Sequence, residues 1–222
     1  MKEVKILIVD DHPMIVEGYK NAIENMDGGD YIFKIDIADS CDTGLHKIKK
    51  ASVSIGYDII LLDIKLPPSK DGKIVSGEDL ALRAKRLLPE AKIAILTMFN
   101  NNYRIYNILK NIDPEGLLIK SDVDSEEIIT AVKTILERPP YYSHTVNRHL
   151  RTQISNDFLL DDFDRGILFH ISKGVKTKDL PNYVPLSLAA IEKRKKNLKI
   201  IFDVSSAGDQ ALIERSRENG FI

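Results

Sequence analysis

The sequence predicts an α/β domain built on a parallel sheet, followed by a small all-helical domain. Up to about residue 137, five short apolar runs alternate with amphipathic stretches. Strands buried on both faces of a parallel sheet read as continuous apolar runs of this kind. From about residue 160 the pattern is purely helical, and the stretch between, with Pro139, Pro140 and a tyrosine pair, breaks the alternation.

The first run, 4–9 (VKILIV), ends at Asp10 and Asp11, and Pro13 suits the first turn of a helix over 13–26. The second run, 33–38, precedes a helix over 43–52. The third, 58–62 (DIILL), ends at Asp63, and a loop beginning Leu66-Pro67-Pro68 leads to a helix over 77–88 with Ser76 as its cap. The fourth, 92–98, carries Thr97 near its end, and Asn100 can cap a helix over 101–111. The fifth, 116–119 (GLLI), ends at Lys120, and a cap within 122–125 starts a helix over 124–137. Strand–helix repeats with right-handed crossovers imply a flavodoxin-like sheet of order 2-1-3-4-5. Residues 139–157 read as a linker with a short helical remnant. Helices follow at 161–172, 177–183, 188–202 and 208–218. The expected domains are therefore 1–138 and 158–222.

Composition agrees with this division. A chain of 222 residues suits one large or two small domains, and its 43% hydrophobic share is ordinary for a globular protein. The lone cysteine, Cys41, excludes an internal disulfide framework and fits a reducing compartment. The opening MKEVKILIVDD is too short in its apolar run, and too soon acidic, for a signal peptide. No stretch approaches the roughly 18 apolar residues of a membrane span. A cytoplasmic protein with no membrane partner is expected. The net charge of −1 conceals a basic cluster of Lys193, Arg194, Lys195, Lys196 and Lys199. The five histidines show no metal-ligand spacing.

Asp10, Asp11, Asp63, Thr97 and Lys120 all fall at the carboxyl ends of strands, the edge where open α/β sheets bind ligands. Clustered carboxylates repel unless a cation joins them. Mg2+ takes such oxygen ligands together with phosphate oxygens. An Asp carboxylate can also act as a nucleophile and form an aspartyl phosphate. Lys120 would then pair with the phosphoryl charge, and the Thr97 hydroxyl would bond the product.

The string ILIVDDHP, Asp63 before a Pro-containing loop, Thr97 after KIAIL and Lys120 in GLLIKSD resemble the receiver domain of a two-component response regulator. The resemblance covers about residues 3–138. It implies that Asp63 is the phospho-acceptor and that Asp10, Asp11, Asp63 and the backbone carbonyl of Lys65 bind Mg2+. It further implies that Thr97 is the switch hydroxyl and Lys120 the phosphate-binding lysine. Two departures stand out. Leu117 replaces the family's usual aromatic, so a rotamer switch there is not expected. The loop between Pro67 and Gly77 is longer than usual and polar, and reads as a tolerated surface insertion.

The segment GVKTKDLPNYVPLSLAAIEKRKKNLKIIFDV, followed by ALIERSRENGFI, resembles the LuxR/NarL-type helix-turn-helix output domain. Gly174 sits in the turn before the scaffold helix, and Ser187 caps the recognition helix, 188–202. Leu188, Ile191, Leu198 and Phe202 fall on one side at helical spacing and are expected to pack inward. Glu192, Lys193 and Lys196 face elsewhere and are expected to read bases. Arg194 and Lys195 flank the apolar side, with stems that pack and heads that reach phosphate. Glu192 stands where a base-reading lysine is usual, so the target sequence of better-known members does not transfer.

Together these features imply a phosphorylation-activated, DNA-binding transcriptional response regulator, not a dedicated enzyme. A sensor histidine kinase would phosphorylate Asp63, double-stranded DNA would be bound, and a homodimer would form on phosphorylation. Two alternatives come from other classes. The helical output domain could bind protein instead of DNA. Alternatively, the chain could be an Asp-nucleophile phosphotransferase like the haloacid dehalogenase group. Lys65, where that group has a second Asp, argues against the latter.

Overall fold

The computed structural model describes residues 1–27, 29–154 and 160–222. The chain divides into two compact units: Met1–Asn100 with Asn107–Val146, and Asn101–Tyr106 with Asn147–Ile222.

The first unit is wound on one parallel sheet. Its strands are β1 (Lys2–Val9), β2 (Tyr31–Ala38), β3 (Ile59–Asp63), β4 (Lys92–Thr97), β5 (Gly116–Ile119) and β6 (Tyr141–Tyr142). They lie in the order β2-β1-β3-β4-β5-β6, every neighbouring pair parallel. The helices are α1 (Pro13–Asn25), α2 (Cys41–Ser52), α3 (Gly77–Leu87), α4 (Asn102–Ile112) and α5 (Ser125–Glu137). The expected 2-1-3-4-5 order is present, extended by one strand.

The apolar runs explain the layering. In β1, Ile6 and Ile8 pack with Val16, Tyr19 and Ile23 of α1 and with Ile128, Val132 and Ile135 of α5. The alternate residues Leu7 and Val9 are equally buried. On that side α2 and α3 approach so closely that a Cβ on Gly44 would lie 3.1 Å from Val9 Cγ1 and 2.9 Å from Leu80. Burial on both faces leaves only the strand ends for chemistry.

Caps set the helix starts. The Ser40 hydroxyl accepts from Thr43 N, and the Thr43 hydroxyl accepts from Ser40 N, closing a capping box on α2. The Ser76 hydroxyl accepts from Asp79 N, and Asp124 accepts from Glu126 N and Glu127 N. For α4 the cap is Asn101, whose Oδ1 accepts from Arg104 N at 3.0 Å, one residue later than expected.

The stretch 139–157 departs most from expectation. It contains β6 and a full helix, α6 (His144–Ile154). Residues 155–157, and the expected domain start at 158, lie outside the described residues. The loop before α3 is also not a bare surface insertion. Ser69 and Ile74 are buried, with Ser69 N donating to Ile74 O at 2.7 Å and Ile74 N to Ser69 Oγ at 3.0 Å. Gly72, at φ 68°, takes the left-handed turn that closes this excursion.

The loop returns the chain to Asp63. Gly77 N donates to Ile64 O at 2.9 Å, and a Cβ on Gly77 would overlap the Asp63 carbonyl oxygen and lie 2.8 Å from Ile64 Cα. Gly77→Ala is therefore expected to cost about 1–3 kcal/mol, as overpacking of a tight core does. It should also slow labelling by acetyl phosphate if Asp63 is the acceptor that the receiver resemblance implies. Denaturant unfolding and the labelling time course check both halves, and a variant matching the parent in each would sink the close-approach argument.

The helical region comprises α7 (Asp162–Ser172), a 3-10 segment (Thr177–Asn182), α8 (Leu188–Ile201) and α9 (Asp209–Glu218). Its core joins Ile167, Leu168, Leu180, Ile191, Leu198, Leu212 and Phe221. Gly174, at φ 84°, makes the turn after α7. The expected scaffold helix 177–183 is a 3-10 segment, because Pro181 lacks the N–H that an α-helical turn would use. Of the four residues expected to pack inward from α8, Ile191, Leu198 and Phe202 do. Leu188, at the first position of the helix, is 39% exposed.

Candidate functional site

The ends of β1, β3, β4 and β5 bring Asp10, Asp63, Thr97 and Lys120 into the interior, and all four are buried. Lys120 opens a short 3-10 turn, Lys120–Asp122, directly after β5. Its Nζ lies 2.6 Å from Asp10 Oδ2 and 2.8 Å from Asp63 Oδ2. The bond to Asp63 has hydrogen-bond geometry, whereas the contact with Asp10 Oδ2 is an ion pair that lacks it. Asp63 Oδ1 accepts from Lys65 N at 3.2 Å, which tethers the exposed Lys65 backbone to the acidic edge.

Asp11 is exposed beside this pair, and the structure adds a residue that had no expected role. His12 Nδ1 lies 3.0 Å from Asp10 Oδ1 and 2.8 Å from Asp11 Oδ1, and its backbone N–H also donates to Asp10 Oδ1. Tyr19 of α1 is a second addition. Burial first, then the charges of Asp10 and Asp63, push its hydroxyl pKa up to about 12, so it stays neutral at the pocket wall. Helical spacing from Val16 and Ile23 could have placed Tyr19 in the core, but not beside the carboxylates.

Asp10 and Asp63 share the Lys120 ammonium and Asp11 lies beside them, so negative charge is in excess. Ligand atoms of Asp10, Asp11, His12 and Asp63 all lie within 4.8 Å of one another. Removing such charges from water is costly without a counter-ion, and hard carboxylate oxygens suit a hard divalent cation. The buried Asp10 Oδ2, which makes an ion pair but no hydrogen bond, is a ligand atom with spare capacity. The residues fit a divalent cation.

Thr97 Oγ1 accepts from Phe99 N at 3.0 Å. Thr97 pairs in register with Ile119, the residue before Lys120. Thr97 thus ends one strand, and Lys120 directly follows the strand beside it. The response regulator receiver domain family matches residues 6–133, more than half of the chain. The chain belongs to that family. The receiver's acidic edge is the region just described.

Relatives extend beyond the receiver. The oxygen regulatory protein NreC of Staphylococcus epidermidis is 24% identical over 220 residues, spanning 91% of this chain and 93% of its own. The transcriptional regulatory protein MctR of Rhizobium johnstonii is 26% identical over 227 residues, spanning 99% and 96%. RcsB from Salmonella enterica serovar Typhimurium, solved bound to a promoter in the presence of the phosphomimetic BeF3-, superposes with a TM-score of 0.65 at 20% identity. That likeness covers 96% of this chain and 98% of RcsB, and shows a shared fold.

In the helical region, Ser187 accepts from Ala190 N and starts α8. Glu192, Lys193 and Lys196 are exposed along it. Arg194 and Lys195 differ from expectation, for their heads are not free. Arg194 Nη1 bonds Asp161 Oδ2 at 2.7 Å and Asp164 Oδ1 at 2.9 Å. Lys195 Nζ bonds Thr177 Oγ1 at 2.6 Å and Asp209 Oδ2 at 2.7 Å. These pairs anchor α8 to α7, the 3-10 segment and α9. Among the described residues, no helix is long and apolar enough to cross a membrane.

Proposed function

We propose that the chain is a cytoplasmic transcription regulator whose DNA binding is switched by phosphorylation of Asp63. The observation that carries this reading is the buried Lys120 ammonium bridging Asp10 and Asp63 at the carboxyl edge of a receiver sheet. A partner histidine kinase supplies the phosphoryl group. An Asp63 carboxylate oxygen forms the new P–O bond, and the P–N bond to the kinase histidine breaks. Asp10, Asp11, Asp63 and the Lys65 carbonyl would hold Mg2+, which when bound offsets the negative charge of the incoming phosphoryl group. Lys120 is placed to exchange a carboxylate partner for a phosphoryl oxygen. Thr97 already accepts from Phe99 N, so its O–H remains to donate. Outside this phosphoryl transfer, and hydrolysis of its product, we assign no enzymatic activity.

The output is read through α8, a LuxR/NarL-type recognition helix. Glu192, Lys193 and Lys196 are among its polar groups exposed to solvent. Lysine reaches guanine acceptors in the major groove, and Glu accepts from the cytosine amino group. Phosphate approaching Arg194 or Lys195 must compete with Asp161, Asp164 and Asp209. The promoter complex of RcsB and the regulatory names of NreC and MctR support this output. Phosphorylation is proposed to favour a homodimer.

Selection of duplexes from a random pool, with and without acetyl phosphate, tests the reading. A phosphorylation-enhanced, salt-sensitive sequence preference is expected. Failure to bind any duplex at low salt would point instead to a protein-binding output. With the selected site, Lys193→Ala and Lys196→Ala should each cost about 1–3 kcal/mol, and Glu192→Ala should relax preference at one base pair. Identical preferences in wild type, Glu192→Ala and Lys193→Ala would mean that α8 does not read the bases.

Thr97→Ala separates chemistry from signalling. It should still take phosphate, because the nucleophile and carboxylates remain. A hydrogen bond to a charged group is worth about 1.5–3 kcal/mol, or roughly a 10- to 150-fold population shift. That gain in DNA affinity on phosphorylation should largely vanish in Thr97→Ala. A full response in the phosphorylated variant would reject the coupling role.

A further inference from the structure

The turn that carries Lys120 is fastened to the start of α6 by a compact polar clasp. The Ser143 hydroxyl, fully buried, accepts from Ile119 N at 3.1 Å and donates to Asp122 Oδ2 at 2.7 Å. Asp122 Oδ2 also accepts from Thr145 N at 2.9 Å, and Asp122 Oδ1 from the Thr145 hydroxyl at 2.9 Å. Ile119 and Asp122 bracket Lys120, whereas Ser143 and Thr145 bracket the first residue of α6. A carboxylate from a distant loop thus caps α6 at its second residue, where it also meets the positive end of the helix dipole.

The clasp is ionised and specific. Burial alone would raise the Asp122 pKa, but the bonds from Ser143 and Thr145 and the charge of His144 outweigh it. They hold the carboxyl below its ordinary value. None of these groups touches Asp10, Asp11 or Asp63 through any bond described above, so they have no direct part in binding phosphate or cation. Any effect they have on the site would pass through Lys120.

We infer that Asp122, with Ser143, is a positioning residue that couples the Lys120 turn to the first turn of α6. Exchanging the Lys120 partner from carboxylate to phosphoryl oxygen then shifts the stability of α6, the segment of chain that leads from the receiver to the helical region. Coupling between two sites is reciprocal, so loosening α6 also shifts the energy of the phosphorylated site. The inference rests on the proposed phosphorylation of Asp63.

Hydrogen exchange of the α6 amides in the full chain, before and after acetyl phosphate with Mg2+, tests it. In wild type, first-turn exchange should change about tenfold or more on phosphorylation, the scale of one hydrogen bond to a charged group. Asp122→Ala should take the same phosphate by intact mass but show no phosphorylation-dependent change in α6. Thr145→Val, which removes only the hydroxyl bond to Asp122, should give an intermediate ratio and serves if Asp122→Ala does not fold. Asp124→Ala, which removes the α5 cap on the neighbouring turn, should lower stability yet keep the wild-type ratio. A wild-type-sized ratio in Asp122→Ala, or no change in wild type once phosphorylated, overturns the coupling. No phosphate on wild type would instead reject the Asp63 reading. Lys120→Gln then still tests the clasp, because it should alter α6 exchange in the unphosphorylated chain and not in the Asp122→Ala background. Equal effects in both backgrounds overturn the inference.

Discussion

Asp63→Asn is expected to take no phosphoryl group from acetyl phosphate, while the wild type is expected to take one. The substitution keeps the shape of the side chain and its place at the end of β3, buried against Lys120. What it removes is the charged oxygen nucleophile, since an amide at this position cannot form an acyl phosphate. Rate and extent should therefore fall to background together. Chelation of divalent cations should suppress labelling of the wild type, because the Asp10, Asp11 and Asp63 cluster would lose its charge balance. Intact mass spectrometry reads both effects. Undiminished labelling of Asp63→Asn would falsify the assignment and direct attention to Asp10 or Asp11.

Lys120→Met is expected to destabilise the receiver by about 3–5 kcal/mol without divalent cations, the cost of stripping a buried charge cluster of its partner. The Lys120 side chain is 3% exposed, and those of Asp10 and Asp63 are 0% and 2% exposed. Water therefore cannot replace the ammonium without opening the strand ends. Methionine fills similar volume, so the loss is electrostatic more than steric. Native-state hydrogen exchange of the β1 and β3 amides isolates this effect from unfolding elsewhere. Adding Mg2+ should restore part of the loss by binding the folded state, and Asp63→Asn in the Lys120→Met background should restore part by removing a repulsive charge. A change under about 1 kcal/mol would mean that the carboxylates are solvated and that Lys120 is not their counter-ion, since exposed pairs are worth that little.

Four strand ends were legible because β1, β3, β4 and β5 are buried on both faces, which writes a continuous apolar run. Each run then stops at a polar residue that the sheet turns into a shared edge. β2 read less completely. Ile32 and Ile37 are exposed at this sheet edge, and the strand begins at Tyr31, before the apparent run. β6 and α6 were hidden for different reasons. A two-residue strand has no period. Helix α6, HTVNRHLRTQI, has its start secured by Asp122, a residue 23 positions before Thr145 that local pattern cannot supply. The same limit applies to the basic cluster. Its composition is visible in sequence, but Arg194 finds Asp161 and Asp164 more than 29 residues earlier. Which lysines remain free is thus a tertiary result. His12 lay in plain view within the DDHP string, yet only the turn after β1 folds its ring back onto both carboxylates.

The sixth strand also bears on how two such chains can meet. An open sheet edge offers a row of unpaired N–H and C=O groups, a template for adding a strand from another molecule. Here Tyr141 N donates to Glu115 O and Ser143 N to Leu117 O, which closes much of the β5 flank. Where β6 stops, the Ser143 hydroxyl takes the Ile119 N–H in place of a strand carbonyl. The β5 backbone on that side is spent inside its own chain. A further strand has only the two residues of β6 to add to, an edge too short to nucleate an open-ended ribbon.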